Sequence, residues 1–340
     1  MKKVSIFKFT SYGNNFIIVD ETNGQQLTED EKSNFACQAT HVNFGIGADG
    51  VLFIQRCEPK TMREINEARH YWEKIPIWPH VDIVFRLFEP NGVESFSCGN
   101  GLMCVASYLY RRYNIASTRI LTQIPTVQPK VITIGTNPQM ETTWANMGRP
   151  SRVPEGIADL SNMKSLDDEI DILDDFTITF RTHDLHPFSN ETSLDLMGYL
   201  VFTGEPHLVI FPEFGFSIEA LRRVTFFSRY QETHTDGQSE RRRMIGSWLI
   251  HHIGTYLNKR CTQLFPKGIN VDFAHILNDG HGIEYRCYER GINKETLACG
   301  TGALAVSFVA RHLNLIKEKQ IAVWPHQSRW YDFDAHIQVK

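Results

Sequence analysis

The sequence predicts an α/β protein made of two related halves, each a set of strands around one buried helix. The first observation behind this is an internal repeat in three matched stretches, met in the same order. "FTSYGNNFIIVD" (9–20) resembles "FTGEPHLVIFPE" (202–213), and "FGIGADGVLFI" (44–54) loosely resembles "FPKGINVDFAHI" (265–276). "VFRLFEPNGVESFSCGNGLMCVASYL" (84–109) resembles "EYRCYERGINKETLACGTGALAVSFV" (284–309). Separations of roughly 190–220 residues are too long for a solenoid, whose units run 20–45 residues, and fit two homologous halves about a pseudo-twofold axis. The second observation is that "GLMCVASYLYRRY" (101–113) and "GALAVSFVARHLN" (302–314) are apolar almost all round. Helices of that kind are buried. A length of 340 residues with 42% hydrophobic content supports two ordinary cores.

Taken in order, the repeat begins in each half as strand, tight turn, strand. "DIVFRLF" (82–88) and "GIEYRCY" (282–288) are β-rich runs. Each leads to a Cys-Gly-x-Gly turn that opens the buried helix. "KTMREINEARHYWEKI" (60–75) reads as an amphipathic helix inserted between two strands. "TQIPTVQPK", with two prolines, sets a soft boundary near 125, giving halves of 1–125 and 126–340. The last residues are free to return to the first half. "RPSRVPEGIADLSNMKSLDDEIDILDD" (149–175) reads as an acidic, turn-rich surface excursion, and "YQETHTDGQSERRR" (230–243) as a polar loop.

Composition excludes several classes. A formal net charge of −4 gives no electrostatic case for nucleic acid or an acidic membrane surface. No apolar run reaches the ~18 residues of a membrane span. The first residues lack the apolar core of a signal peptide, so the expected location is the cytoplasm. Seven cysteines are scattered without any C-x-x-C pair. No metal site and no structural disulfide are therefore expected. Cys104, inside the first buried helix, is expected to be core, Cys287 lies in a strand, and Asp49 is read as a turn former.

Cys98 and Cys299 are different, because each heads a helix. The helix N-terminus favours a thiolate and can lower the thiol pKa below its usual value of about 8.5. Its free N–H groups form a cradle for a carboxylate. Two such helices about a twofold axis would set two thiols across one cleft, with a bound amino acid between them. One thiolate would remove the α-proton, and the other thiol would donate a proton to the opposite face. That chemistry inverts the centre without a cofactor. Donors at both helix ends would stabilise the enolate-like charge, and the thiols would titrate as a coupled pair.

These residues carry a resemblance. "YGNNF" (12–16), "FGIGADGVL" (44–52), "SCGNG" (97–101), "EPH" (205–207), "GINVDF" (268–273) and "YERGINKETLACGTGA" (288–303) resemble, in the same order, the motifs of the diaminopimelate epimerase family of pyridoxal-phosphate-independent epimerases and racemases. The resemblance implies two halves, each a mixed sheet wrapped around its central helix. It implies that Cys98 and Cys299 are the acid–base pair, and that Gly99, Asn100, Gly300 and Thr301 hold the α-carboxylate. Asn14, Asn270, Glu289 and Arg290 would contact the substrate. The expected partner is a small amino acid, with no cofactor, nucleic acid or membrane; a homodimer is allowed.

The chain departs from the family pattern at Glu89 and Glu205, where asparagine is usual, and at Met103, where arginine is usual. It also ends short of the usual final strands, with insertions near 56–80 and 216–262. Glu89 and Glu205 would face the distal end of the substrate. A carboxylate about 4 Å from an anion costs about 4 kcal/mol at an effective dielectric of about 20. This points to an amino acid with a cationic side chain (lysine, ornithine, arginine or histidine), with diaminopimelate itself as the alternative. The competing reading turns either glutamate away to pair with Arg86 or Arg290. Glu89 falls opposite Glu289 in the repeat, so glutamate is compatible with that turn. His207 is expected to be positional. Proline racemases share the two-cysteine logic, but their second cysteine usually follows Asp-Arg-Ser-Pro, which is absent here. The rival of another class is a non-enzymatic binding or redox-thiol protein.

Overall fold

In the computed structural model, residues 3–161, 163–181, 184–185, 189–222, 227, 237–277, 280, 282–326 and 337–339 are described. The chain divides into two compact units, Met1–Gly148 and Arg149–Lys340.

The first unit is built on an eight-stranded mixed sheet. Its strands are β1 (Phe7–Ser11), β2 (Asn14–Asp20), β3 (Gly50–Arg56), β4 (Ile83–Phe88), β5 (Glu94–Ser95), β6 (Ser117–Thr122), β7 (Lys130–Asn137) and β8 (Thr142–Asn146). They run in the order β1-β2-β3-β4-β6-β7-β8, with β5 on β4. The β1–β2 hairpin turns at Tyr12 and Gly13, both at positive φ (47° and 85°), as a two-residue turn that follows strand twist requires. Helix α1 (Glu29–Thr40) starts in a Thr28–Glu31 capping box. Helix α2 (Pro59–Arg69) buries Thr61, Met62 and Ile65 and ends at His70 in the left-handed region. It is the expected inserted helix, shorter than its sequence pattern. Helix α3 (Gly99–Tyr113) begins two residues earlier than its apolar run and is capped by Cys98. It buries Leu102, Val105 and Leu109, among others. Strands β3 and β4 are covered on both faces, so Val51–Ile54 and Val84–Phe88 are buried almost without interruption.

The second unit has nine strands. They are β9 (Lys164–Ser165), β10 (Asp171–Thr179), β11 (Ser193–Phe202), β12 (Pro206–Ile210), β13 (Asn270–Ile276), β14 (Gly282–Glu289), β15 (Lys294–Thr296), β16 (Ile321–Pro325) and β17 (Ile337–Val339). Their order is β17-β16-β14-β13-β12-β11-β10-β9, with β15 on β14. Its described helices are α4 (Pro212–Gly215), a 3₁₀ turn at Glu219–Leu221, α5 (Gly237–Arg260) and α6 (Gly300–His312). Residues Ala303, Ala305, Val306, Val309 and Ala310 of α6 share one core with Val209, Tyr285, Ile321 and Val323 of the sheet.

The repeat is literal in the pairing pattern. β2–β3 and β12–β13 are parallel, β3–β4 and β13–β14 antiparallel, and β4–β6 and β14–β16 parallel. This is the expected α/β duplication, each mixed sheet carrying one buried helix.

Four expectations are displaced. The proline-bearing stretch near 125 is not a unit boundary: it joins β6 to β7, and residues 126–148 complete the first sheet. The final described strand joins the sheet of the second unit, where β17 pairs with β16. The 149–175 stretch is a surface excursion only in part, because Ile170 and Asp171 are fully buried where β10 begins. The 230–243 loop gives way at Gly237 to α5, whose inner face holds Ile245, Leu249, Ile250, Ile253 and Leu257; residues 230–236 lie outside the described residues. Gly254 brings that helix onto β14: a Cβ there would lie 2.2 Å from the ring of Tyr288.

Candidate active site

Each thiol caps its helix in the same way. The Cys98 sulfur accepts the N–H of Gly101 at 3.4 Å, and the Cys299 sulfur accepts that of Gly302 at 3.4 Å. Both cysteines have extended backbone at the N-cap, and the remaining first-turn amides of α3 and α6 have no partner within their own helix. Gly302 has a second reason to be glycine, because a Cβ there would meet Asp272 Oδ1 at 2.5 Å.

Behind each thiol stands a residue from the start of β2 or its counterpart β12. In the first unit Asn100 donates from Nδ2 to Asn14 Oδ1 at 2.5 Å. In the second, Thr301 Oγ1 lies 3.0 Å from His207 Nε2. Asn100 and Thr301 are each two residues past their cysteine, and Asn14 aligns with His207 in the repeat. The positions are equivalent and the chemistry is not. His207 Nδ1 lies 2.6 Å from Asp272 Oδ2, and Thr301 Oγ1 lies 3.3 Å from the Cys299 sulfur. In a neutral ring whose Nδ1–H is donated to the carboxylate, Nε2 keeps a lone pair, and Thr301 can then donate to the ring and accept from the thiol. The assembled chain, Cys299–Thr301–His207–Asp272, is buried throughout.

Tyr285 fixes the Cys299 backbone. Its hydroxyl accepts the Cys299 N–H at 2.8 Å and donates to the Cys299 carbonyl at 2.8 Å. Tyr285, Cys287 and Glu289 alternate along β14 and so share one face, the face turned to Cys299.

The N-terminal dipole does not leave Cys299 a low-pKa thiol. A hydrogen bond from Cys287 acts to lower its pKa, but burial and the carboxylates of Glu289 and Asp272 outweigh it and push the thiol up. The expectation of a lowered value is thus corrected for Cys299: burial and two nearby carboxylates oppose the dipole. Burial pushes the neighbouring Cys287 thiol up further, and Cys104 in α3 up to about 12, as expected for core.

The glutamates fall into two matched sites and one ion pair. Ser95 Oγ donates to Glu89 Oε1 at 2.5 Å, and Thr296 Oγ1 donates to Glu289 Oε1. The hydroxyl is three residues before the cysteine in both units. Arg86 does not pair with Glu89; it is held by Glu29 at 2.7 Å and Glu94 at 2.6 Å. Glu205 accepts from Arg290 Nε at 2.9 Å and from Arg290 Nη2. Asn270 Oδ1 accepts the Arg290 backbone N–H at 2.9 Å. Glu205, Asn270 and Arg290 therefore gather at the end of the second sheet that also holds Glu289, Gly300, Thr301 and Cys299.

Asn14, Gly99 and Asn100 gather around Cys98, with Glu89 fastened to the β5 hydroxyl nearby in sequence. Asp49 is more than a turn former, since its Oδ2 accepts the Asn15 N–H at 2.8 Å and sets the β2–β3 junction. Sequence reasoning missed Asp272, Tyr285 and Cys287. The signal for the last two was the alternation in "EYRCYER", which places 285, 287 and 289 on one strand face.

With this geometry in place, comparison with known proteins is decisive. A family model for diaminopimelate epimerase matches residues 6–153. The diaminopimelate epimerase of Methanothrix thermoacetophila is 31% identical over 318 residues, spanning 94% of this chain and 85% of that protein. The chain belongs to the diaminopimelate epimerase family. It is accordingly an isomerase of the epimerase class. The enzyme of that name from Archaeoglobus fulgidus is 28% identical, spanning 93% of this chain and 85% of its own. Among solved structures, a hydroxyproline epimerase from Agrobacterium vitis superposes with a TM-score of 0.50 at 10% identity, covering 93% of this chain and 79% of that one. A phenazine biosynthesis protein of the PhzF family from Bacillus anthracis gives 0.50 at 14% identity, covering 99% and 89%. At such identity these two bear on the fold alone. No described helix of this diaminopimelate epimerase family member is long and apolar enough to cross a membrane.

Proposed function

We propose that the protein inverts the α-carbon of a free amino acid by two-base proton transfer, with Cys98 and Cys299 as the bases and no cofactor. One thiolate takes the α-proton while the other thiol returns a proton to the opposite face. The first-turn amides of Gly99 and Asn100, and of Gly300 and Thr301, are suited to holding the α-carboxylate and stabilising the enolate-like charge. In the resting enzyme Cys299 carries its proton, consistent with its raised pKa. For one hand of substrate it is therefore the acid, and Cys98 the base. For the other hand, Thr301 and His207 offer the Cys299 proton a path away from the sulfur.

The substrate reading rests on one observation, the Glu205–Arg290 pair. Glu205 is spoken for by a guanidinium and does not stand as a lone anion. The pair sets one negative and one positive group side by side. Its complement is a distal group that is itself zwitterionic, an ammonium beside a carboxylate. Diaminopimelate has that end; lysine, ornithine, arginine and histidine do not. The curated relatives carry the name diaminopimelate epimerase, which supports the same choice over a basic amino acid. The test is exchange of the substrate α-proton for solvent deuterium. The reduced enzyme is incubated in D₂O with LL-diaminopimelate and, separately, with L-lysine, L-ornithine, L-arginine and L-histidine. Faster exchange into diaminopimelate is expected. Faster exchange into any of the four others would overturn the substrate reading, and exchange into none would overturn the activity.

A further inference from the structure

The mechanism gives the buried thiol of Cys287 no task. Cys287 lies on β14 beside Cys299, and the donor atoms of Cys287, Glu289 and Cys299 lie within 4.8 Å of one another. Among the described residues this is the one group of three metal-ligating side chains so close together. Among its described residues the first unit has no equivalent. Leu87 pairs with Ser95 there as Cys287 pairs with Thr296 here, so leucine fills the place of the second sulfur. Two sulfurs and one carboxylate oxygen select thiophilic cations over magnesium or calcium. Three protein donors leave a tetrahedral ion one open position.

The surroundings favour a positive charge. Asp272 sits opposite Cys287 in the strand register and is fully buried. Its Oδ2 meets His207, and its Oδ1 has no hydrogen-bond partner. A buried carboxylate oxygen left unmatched is costly unless a positive charge stands nearby. The donors are also held on rigid supports. Cys287 and Glu289 are fixed by the β13–β14–β15 ladder, and Cys299 by the two hydrogen bonds to Tyr285.

We propose that Cys287, Cys299 and Glu289 form a binding site for a thiophilic divalent cation of the zinc and cadmium kind, and that an occupied site removes the Cys299 sulfur from proton transfer. Two sulfur–metal bonds form, and the two thiol protons go to solvent. The oxidation state of every group is unchanged, so binding is reversed by a chelator. The inhibitory part rests on the two-base reading above, whereas the binding part does not.

The reduced, chelator-stripped protein is titrated with cadmium chloride in the absence of substrate, following thiolate-to-cadmium absorption in the ultraviolet. One saturable equivalent is expected. Cys287→Ala and Glu289→Gln should each weaken it on the order of 10–100-fold, the scale on which changes to a metal's ligand surroundings act. Cys98→Ala should leave it in place. Circular dichroism checks each variant; if Cys287→Ala does not fold, Glu289→Gln carries the test. Absence of a saturable equivalent in the wild type, or undiminished affinity in the folded variants, overturns the site. Cadmium should also stop α-proton exchange over the same concentration range, and excess chelator should restore it. A filled site with unslowed exchange overturns the inhibitory part. A protein that exchanges no substrate fails the functional reading while the titration remains readable.

Discussion

Glu205 and Arg290 form a two-pronged ion pair in the second unit, with side chains only 8% and 14% exposed. Breaking a buried pair by removing one partner costs about 3–5 kcal/mol, because the other charge is left uncompensated. Glu205→Gln should therefore lower the thermal midpoint measurably. It should also raise KM for LL-diaminopimelate more than it lowers kcat, since the distal end is remote from the reacting carbon. A variant with unchanged KM for every substrate would place the pair outside the recognition of substrate.

Two-base transfer would require both thiols for turnover. Cys98→Ala and Cys299→Ala should each reduce epimerisation by at least the factor of about 10²–10⁴ ascribed to a positioned acid or base. Circular dichroism should show both folded, since each thiol is replaced by a smaller apolar group. Substantial turnover by either variant would rule out two-base transfer.

Asp272 sets the direction of the hydrogen-bond chain behind Cys299. Asp272→Asn replaces an acceptor at His207 Nδ1 by a group that can donate, which reverses the tautomer and turns Nε2–H toward Thr301. We expect kcat to fall about 10²-fold with KM nearly unchanged, and the pH–rate profile to move. His207→Asn, which gives the second unit the residue of the first at Asn14, should act in the same direction. A fall in stability without a change in the pH profile would reduce the chain to packing.

Cys299 should be slow to alkylate near neutral pH. Its thiol is pushed up by burial and by Glu289 and Asp272, against the hydrogen bond from Cys287, and only the thiolate attacks. In the Cys98→Ala variant, iodoacetamide labelling of Cys299, followed by mass spectrometry, should still be rising with pH where an ordinary thiol has levelled off. A plateau below neutral pH would contradict the burial argument.

The first unit should be sensitive to acid through Glu29. Burial acts to raise its pKa, but Arg86 and Lys32 outweigh it and hold the carboxyl below its ordinary value of 4.5. A lowered folded-state pKa gives stability that is present above the unfolded value and lost as pH falls through the folded one. Thermal midpoints should drop on acidification below about 4.5, and Glu29→Gln should flatten that dependence while costing stability at neutral pH.

Much of this was legible in the sequence. The duplication was visible because both copies keep the apolar runs and glycine turns that a buried helix and its N-cap demand. The cysteines were visible because their turns are copied. The boundary was misplaced because two prolines mark a turn equally well inside a sheet, and only the β6–β7–β8 pairing decides which. Helix α5 was hidden behind a polar lead-in, its buried residues 245, 249, 250, 253 and 257 appearing only after position 243. Glu205 was ambiguous because a carboxylate's meaning depends on its neighbour, and Arg290 lies 85 residues away. His207 and Asp272 were out of reach for the same reason: their contact is made across the β12–β13 pair of strands.

Gly254 lies on the far side of β14 from the thiol, against the ring of Tyr288, on a helix that the second unit inserts between β12 and β13. Any side chain at 254 would have to push that ring, and with it the strand whose opposite face carries Tyr285, Cys287 and Glu289. The insertion is therefore a spacer with a set thickness. Its exposed surface is free to drift, while exchanging the helix for a relative's would require residues 254 and 288 to be exchanged together.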